Sequence, residues 1–256
     1  MPQFRIEQDG LVATLVIDNP DRRNAMNSDM YRQVPPAVET ILADPNIRCV
    51  VLRGAGSRAF GAGSDISEFP TRRTGDEAGR FDSSEHLAWR AIESIPVPVI
   101  ASIHGPCMGG GIAMALHADI RIAADDARFS VPPAKLGLAY PPPAVDRLVR
   151  LVGPSMSKLL LFSARTIDSS EALRIGLVDE VVEKSDLDRH TLELTNLISE
   201  LSPLSIRAAK LAVDSTADPE LIPRTKESVA KCYQSADFRE GIKAFMEKRR
   251  PQFEGR

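Results

Sequence analysis

The chain has 256 residues, a formal net charge of −3 and 26% charged residues, a balance that gives no basic surface for nucleic acid or anionic membrane. Hydrophobic residues make up 43% of it, enough for a substantial core in one large domain or in one domain with an appendage. Cys49, Cys107 and Cys232 are odd in number and widely spaced without a CxxC pair, which argues against a disulfide framework and a zinc site and points to a reducing cytoplasm. The first residues carry no apolar signal core, and no run of about 18 apolar residues appears, so a cytoplasmic location without a membrane segment is expected.

Residues 4–7 and 11–17 are β-prone runs joined through Asp9-Gly10, a dipeptide that favours a tight hairpin. Residues 28–42 have helical spacing in Met30, Val34, Val38 and Ile41. Pro35-Pro36 removes backbone donors from the middle of that run, so the helix is expected to kink or restart there. Residues 49–52, 99–102 and 120–123 read as short buried strands, each followed by a turn or helix signal. Residues 72–80 mix glycine, threonine and charges and read as a mobile surface segment; the stretch holding Asp82, Glu85, His86 and Trp89 reads as helical. Asp168 with Glu171 three residues on marks a helix start, and residues 177–182 return to strand character. From about Asp186 the pattern is helical without strands: 187–201, 205–214, 219–236 and 238–249. The basic cluster Lys243, Lys248, Arg249 and Arg250 reads as a solvated helix end.

Two glycine-bearing loops carry the chemistry. Gly109-Gly110-Gly111 follows an apolar strand and precedes an apolar helical run, and glycine leaves no Cβ between main chain and ligand, so its N–H groups can close on a ligand atom beside a helix N-terminus. Residues 58–66 also follow a strand and combine Gly61 and Gly63 with the short polar Ser64. If the Ser64 and Gly110 amides converge, one carbonyl oxygen receives two fixed donors, as an enolate or tetrahedral oxyanion requires.

Residues 58–66, 103–113 and 164–182 resemble the crotonase superfamily, the enoyl-CoA hydratase and isomerase group, in order and spacing, and the resemblance extends to residues 19–27 and 240–248. It implies an α/β fold, the ClpP/crotonase-like spiral of ββα units over residues 1–190, with a helical C-terminal trimerisation region over 191–256. It further implies an acyl-CoA thioester as ligand, coenzyme A being part of the substrate and no separate cofactor or metal being needed, and a homotrimer or dimer of trimers. Ser64 and Gly110 match the two oxyanion-hole positions. Arg23 and Ala25 match the loop that touches the CoA phosphates and pantetheine; Gly61, Ala62, Asp65 and Ile66 match the turn that cups adenine. Phe245 and Lys248 match positions that reach CoA, often from a neighbouring subunit.

The sequence departs from that family where hydratases carry acids. Ala113 and Pro133 stand at the two glutamate positions, and Pro141 at a third acidic position used in some relatives; none can move a proton. Tyr140 remains, in a segment resembling the corresponding one of the methylmalonyl-CoA decarboxylases within that family, although those carry a histidine where this chain has Ser64. Decarboxylation of a malonyl-type thioester suits absent carboxylates, because CO₂ loss generates the enolate without a general base, and a phenol stays protonated at neutral pH. Hydration or isomerisation with a replacement acid such as Glu85 or His86, and a non-catalytic acyl-CoA binder, are the alternatives. His104, Asp119 and Arg121 read as structural.

Overall fold

The computed structural model describes the backbone of residues 1–72 and 76–256 and the side chains of 1–71 and 83–256. β1 (Gln3–Asp9) and β2 (Val12–Asp18) pair antiparallel around Gly10, whose φ of +54° carries the turn at no Cβ cost. α1 (Ser28–Leu42) is capped by Asn27, whose side chain accepts the Met30 N–H at 2.8 Å. The expected kink does not occur: α1 runs through Pro35 and Pro36 as one helix. Its stripe of Tyr31, Val34, Val38 and Ile41 is buried, and that packing carries the helix past the missing donors.

Then follow β3 (Cys49–Gly54), α2 (Phe69–Arg72), α3 (Asp76–Glu93), β4 (Val99–Ile103), β5 (Pro106–Met108), α4 (Gly110–Leu116), β6 (Ile120–Ala124), β7 (Arg128–Ser130), α5 (Pro142–Ser163), β8 (Ile167–Asp168), α6 (Ser169–Arg174) and β9 (Glu180–Val182). Of the segment expected to be mobile, residues 73–75 lie outside the described ones and α3 begins at Asp76; the side chain of Asp82 is likewise outside them. The proline run after Tyr140 is the first turn of α5, where a missing N–H costs nothing, and the helix changes direction at Gly153-Pro154. Asp168 caps α6 by accepting the Glu171 N–H at 2.8 Å. Strand pairing near residue 180 is confined to β9.

A six-stranded sheet runs β1-β2-β3-β4-β6-β9, parallel beyond the hairpin, and a three-stranded sheet runs β5-β7-β8. Consecutive strands such as β4 and β5, or β6 and β7, thus alternate between the sheets and are followed by helices, and the turns stack into a spiral of ββα units. Leu15, Leu52, Trp89, Ile92 and Ile103 belong to the main core. The chain ends in α7 (Leu187–Ser199), α8 (Pro203–Asp214), α9 (Ile222–Gln234) and α10 (Ala236–Met246). The helix expected over 219–236 is split, a 3₁₀ turn at Pro219–Leu221 preceding α9. Among the described residues no helix is long and apolar enough to cross a membrane, and no group of three metal-ligating side chains occurs.

Candidate active site

Two short parallel bridges bring the glycine-bearing loops together. Met26 donates its N–H to Gly63 O at 2.8 Å and accepts from Asp65 N at 2.8 Å. Gly61 donates to Pro106 O at 3.1 Å and accepts from Met108 N at 2.9 Å. Asn24, buried, staples the same region through Nδ2 to Ala55 O at 3.0 Å and Ala59 O at 2.7 Å. The fit is close: a Cβ on Gly110 would lie 3.2 Å from Ser64 N, and one on Gly111 would lie 2.4 Å from Gly61 O. Glycine is therefore required at position 111 for the loops to meet, and at position 110 a side chain would crowd Ser64. Among the described residues no protein acceptor receives the Ser64 or the Gly110 N–H.

Ser64 and Gly110 border a cavity whose wall includes Phe69, Trp89, Pro133, Leu136 and Tyr140. Of the three positions where acids were sought, Pro133 and Pro141 line this cavity and Ala113 is buried in α4. The carboxylate present comes instead from α3. Glu85 lines the cavity, is 2% exposed, and accepts a hydrogen bond from Ser64 Oγ at 2.6 Å. Since the single Ser64 hydroxyl proton goes to Glu85, the contact of Tyr31 Oη with Ser64 Oγ at 3.1 Å is a donation from Tyr31.

Tyr140 donates its hydroxyl to Gly109 O at 3.0 Å. Burial raises its phenol well above the ordinary value of 10.0, and the nearby Glu85 carboxyl pushes the same way, so Tyr140 is a donor throughout the neutral range. Trp89 sits one helical turn after Glu85, stacked on His117 with ring centroids 5.3 Å apart. Burial lowers the His117 pKa, against the opposing pull of its Ala113 hydrogen bond and of Glu93. Burial also pushes the Cys49 thiol up to about 12 and raises Cys107, which leaves neither as a thiolate nucleophile.

The remaining sequence-predicted positions divide into two groups. Arg23 and Ala25 adjoin the loop of Gly61, Ala62, Asp65 and Ile66, joined to it by Ala62 N to Arg23 O at 2.9 Å. Although partial burial opposes it, hydrogen bonds from Ser67 and the charge of Arg22 hold the Asp65 carboxyl below its usual range, with Arg22 Nη1 at 2.7 Å. Ala62 and Ile66 reach the cavity wall. Phe245 and Lys248 do not line it; Phe245 is 83% exposed and borders a separate groove among the C-terminal helices. His86 packs its ring against Trp89 behind the wall, and His104 is buried away from the cavity. Asp119 and Arg121 make structural contacts, to Val99 N and Lys210 and to Asp179 and Leu177 O respectively.

An α/β spiral whose two glycine-bearing loops meet at the wall of one cavity is a fold of the crotonase type. The chain belongs to the enoyl-CoA hydratase/isomerase family, whose sequence profile matches residues 7–256, a family acting on acyl-CoA thioesters. It is similar to the short-chain-enoyl-CoA hydratase of Clostridium acetobutylicum, 36% identical over 248 residues that cover 96% of this chain and 95% of that protein. It is also similar to the methylmalonyl-CoA decarboxylase of Escherichia coli, 35% identical over 217 residues and 82% of each chain. The crystal structure of an enoyl-CoA hydratase/carnithine racemase from Magnetospirillum magneticum superposes with a TM-score of 0.93 at 35% identity, covering 99% of this chain and 96% of that one.

Proposed function

We propose that this protein decarboxylates a malonyl-type acyl-CoA thioester, holding the thioester oxygen between the Ser64 and Gly110 amides as it becomes an enolate. The observation that carries the reading is that the Ser64 and Gly110 amides lie side by side with no protein acceptor among the described residues, at a cavity lined by Pro133 and Pro141 where the family places acids, with Ala113 buried in α4 at the third such position. Fixed donors of this kind each supply about 3 kcal/mol of transition-state stabilisation. CO₂ loss needs no base to start, since the bonding pair between Cα and the carboxylate carbon becomes the enolate. Apolar walls from Phe69, Trp89 and Leu136 favour the spreading of a charge first confined to a carboxylate. Tyr140, held protonated, turns its hydroxyl from Gly109 O to that carboxylate when the ester binds. Arg23, Ala25, Gly61, Ala62, Asp65 and Ile66 form the CoA-binding rim in this reading. Phe245 and Lys248 serve CoA in a neighbouring copy of a trimer or of a dimer of trimers, to whose contacts the exposed Phe245, Met246 and Tyr233 contribute.

The test offers malonyl-, methylmalonyl- and ethylmalonyl-CoA and, separately, crotonyl-CoA, following CO₂ release and loss of enoyl absorbance. CO₂ release without crotonyl-CoA hydration is expected. Rapid hydration without CO₂ release overturns the reading in favour of a hydratase. Tight binding of the esters with neither reaction makes the protein an acyl-CoA binder.

A further inference from the structure

An enolate left by CO₂ must take a proton at Cα, and the family's acid positions cannot supply one. We propose that Glu85 is the catalytic acid that delivers this proton, with Ser64 and Tyr31 as its positioning residues. The inference rests on reading the cavity as an enolate site, and deepens it.

Glu85 comes from α3, an element separate from the two loops that supply the amides, and lines the same cavity. Its placement is tied to the hole itself. The residue whose N–H is one hole donor uses its Oγ to hold the Glu85 carboxyl, 2.6 Å away. Tyr31 Oη, buried at 0% exposure, holds that Oγ in turn at 3.1 Å. Tyr31 also crowds the second donor, since a Cβ on Gly110 would lie 2.4 Å from its hydroxyl oxygen. One chain of hydrogen bonds thus fixes the carboxyl relative to both amides. The reacting Cα is two bonds from the oxygen those amides would hold, which brings it into the neighbourhood of the carboxyl. Such mutual fixing is what proton transfer to carbon demands.

The step balances as follows. The bond between Cα and the carboxylate carbon breaks, CO₂ leaves, and the electron pair forms the enolate. The Glu85 carboxylate first takes one proton from solvent water and passes it to Cα as the enolate collapses, which leaves it a carboxylate again. One proton is consumed for each CO₂ released.

The reverse of the proton step can be watched alone, by incubating the full chain with butyryl-CoA in D₂O and measuring deuterium entry at Cα by mass spectrometry. The wild type is expected to exchange. Glu85→Gln should slow exchange by at least 100-fold, on the 10² to 10⁴ scale of general acid–base contributions, with butyryl-CoA affinity retained. Glu85→Asp should recover part of the rate, and Tyr31→Phe should lower kcat while leaving KM unchanged, a split that mere loss of packing would not give. Exchange by Glu85→Gln at the wild-type rate overturns the proposal. So does a wild type that releases CO₂ but never exchanges, in which case the enolate site stands without Glu85. If neither reaction occurs, both readings fall.

Discussion

Gly110 does three things at once: it offers an N–H, leaves room for the Tyr31 hydroxyl, and lets the second loop approach Ser64. A side chain there would meet Tyr31 Oη at 2.4 Å, a separation that only displacement of the tyrosine or the loop could relieve. From sequence the glycine triplet stood out as able to present its N–H groups, although such triplets also occur in plain turns, and it was the family resemblance that singled out Gly110. Tyr31 was not, although it falls on the same stripe as Val34 and Val38: a tyrosine in an apolar stripe looks like core until its hydroxyl partner is known. Glu85 was visible as one of several polar residues on a helix, and only the fold shows which of them turns inward. Tyr140 was singled out from sequence as a residue near the reacting carbon; it lines the cavity, and its role is testable at this scale. Tyr140→Phe keeps the ring and removes the donor, so CO₂ release should fall at least tenfold, on the scale of general acid–base contributions, while butyryl-CoA binding is unchanged. An unaltered rate would take Tyr140 out of the reaction.

At the scale of elements, α1 and α3 matter most, because each carries one end of the hydrogen-bond chain. α1 is expected from its spacing and runs on through prolines that suggest a break, since tertiary packing outweighs local preference. The same sequence logic missed α5: three prolines after Tyr140 look like a turn, yet Pro142 and Pro143 lie in the first turn of that helix. The strands β3, β4 and β6 were readable as apolar runs flanked by breakers, whereas β5 and β7, with three residues each, are too short to show a period. The start of α1 depends on Asn27, whose side chain satisfies the Met30 N–H. Asn27→Ala should destabilise the protein by about 1 kcal/mol, and Asn27→Asp, which keeps the acceptor, by much less. Urea unfolding at constant m-value measures this. A null result would mean that the burial of Tyr31 and Val34 alone sets the helix start.

For the whole molecule, the site depends on contacts between residues far apart in sequence, such as Gly61 with Cys107 and Met26 with Ser64. No local pattern encodes those pairings, so the family resemblance, rather than periodicity, was what joined the two loops before the structure did. The same compactness buries two histidines, and this sets a pH dependence for global stability. Burial lowers the His104 pKa from 6.5, with Arg53 and Lys184 adding to the shift and Asp126 and Asp188 opposing it. Burial lowers His117 from 6.5 as well, Arg147 and His86 adding to the shift while Ala113 and Glu93 oppose it. In the unfolded chain both take protons near pH 6.5, so below that value the unfolded state binds more protons than the folded one. Their stabilising contribution is therefore full above pH 6.5 and is lost as the pH falls from there through the lowered folded values. Each histidine can contribute at most about 1.4 kcal/mol per pH unit. The urea midpoint should drop between pH 7 and pH 5.5, and His104→Phe, which removes one of the two titrations and a buried Nε2 without a partner among the described residues, should make that drop shallower. A midpoint that rises on acidification would show that the histidines take up protons in the folded state.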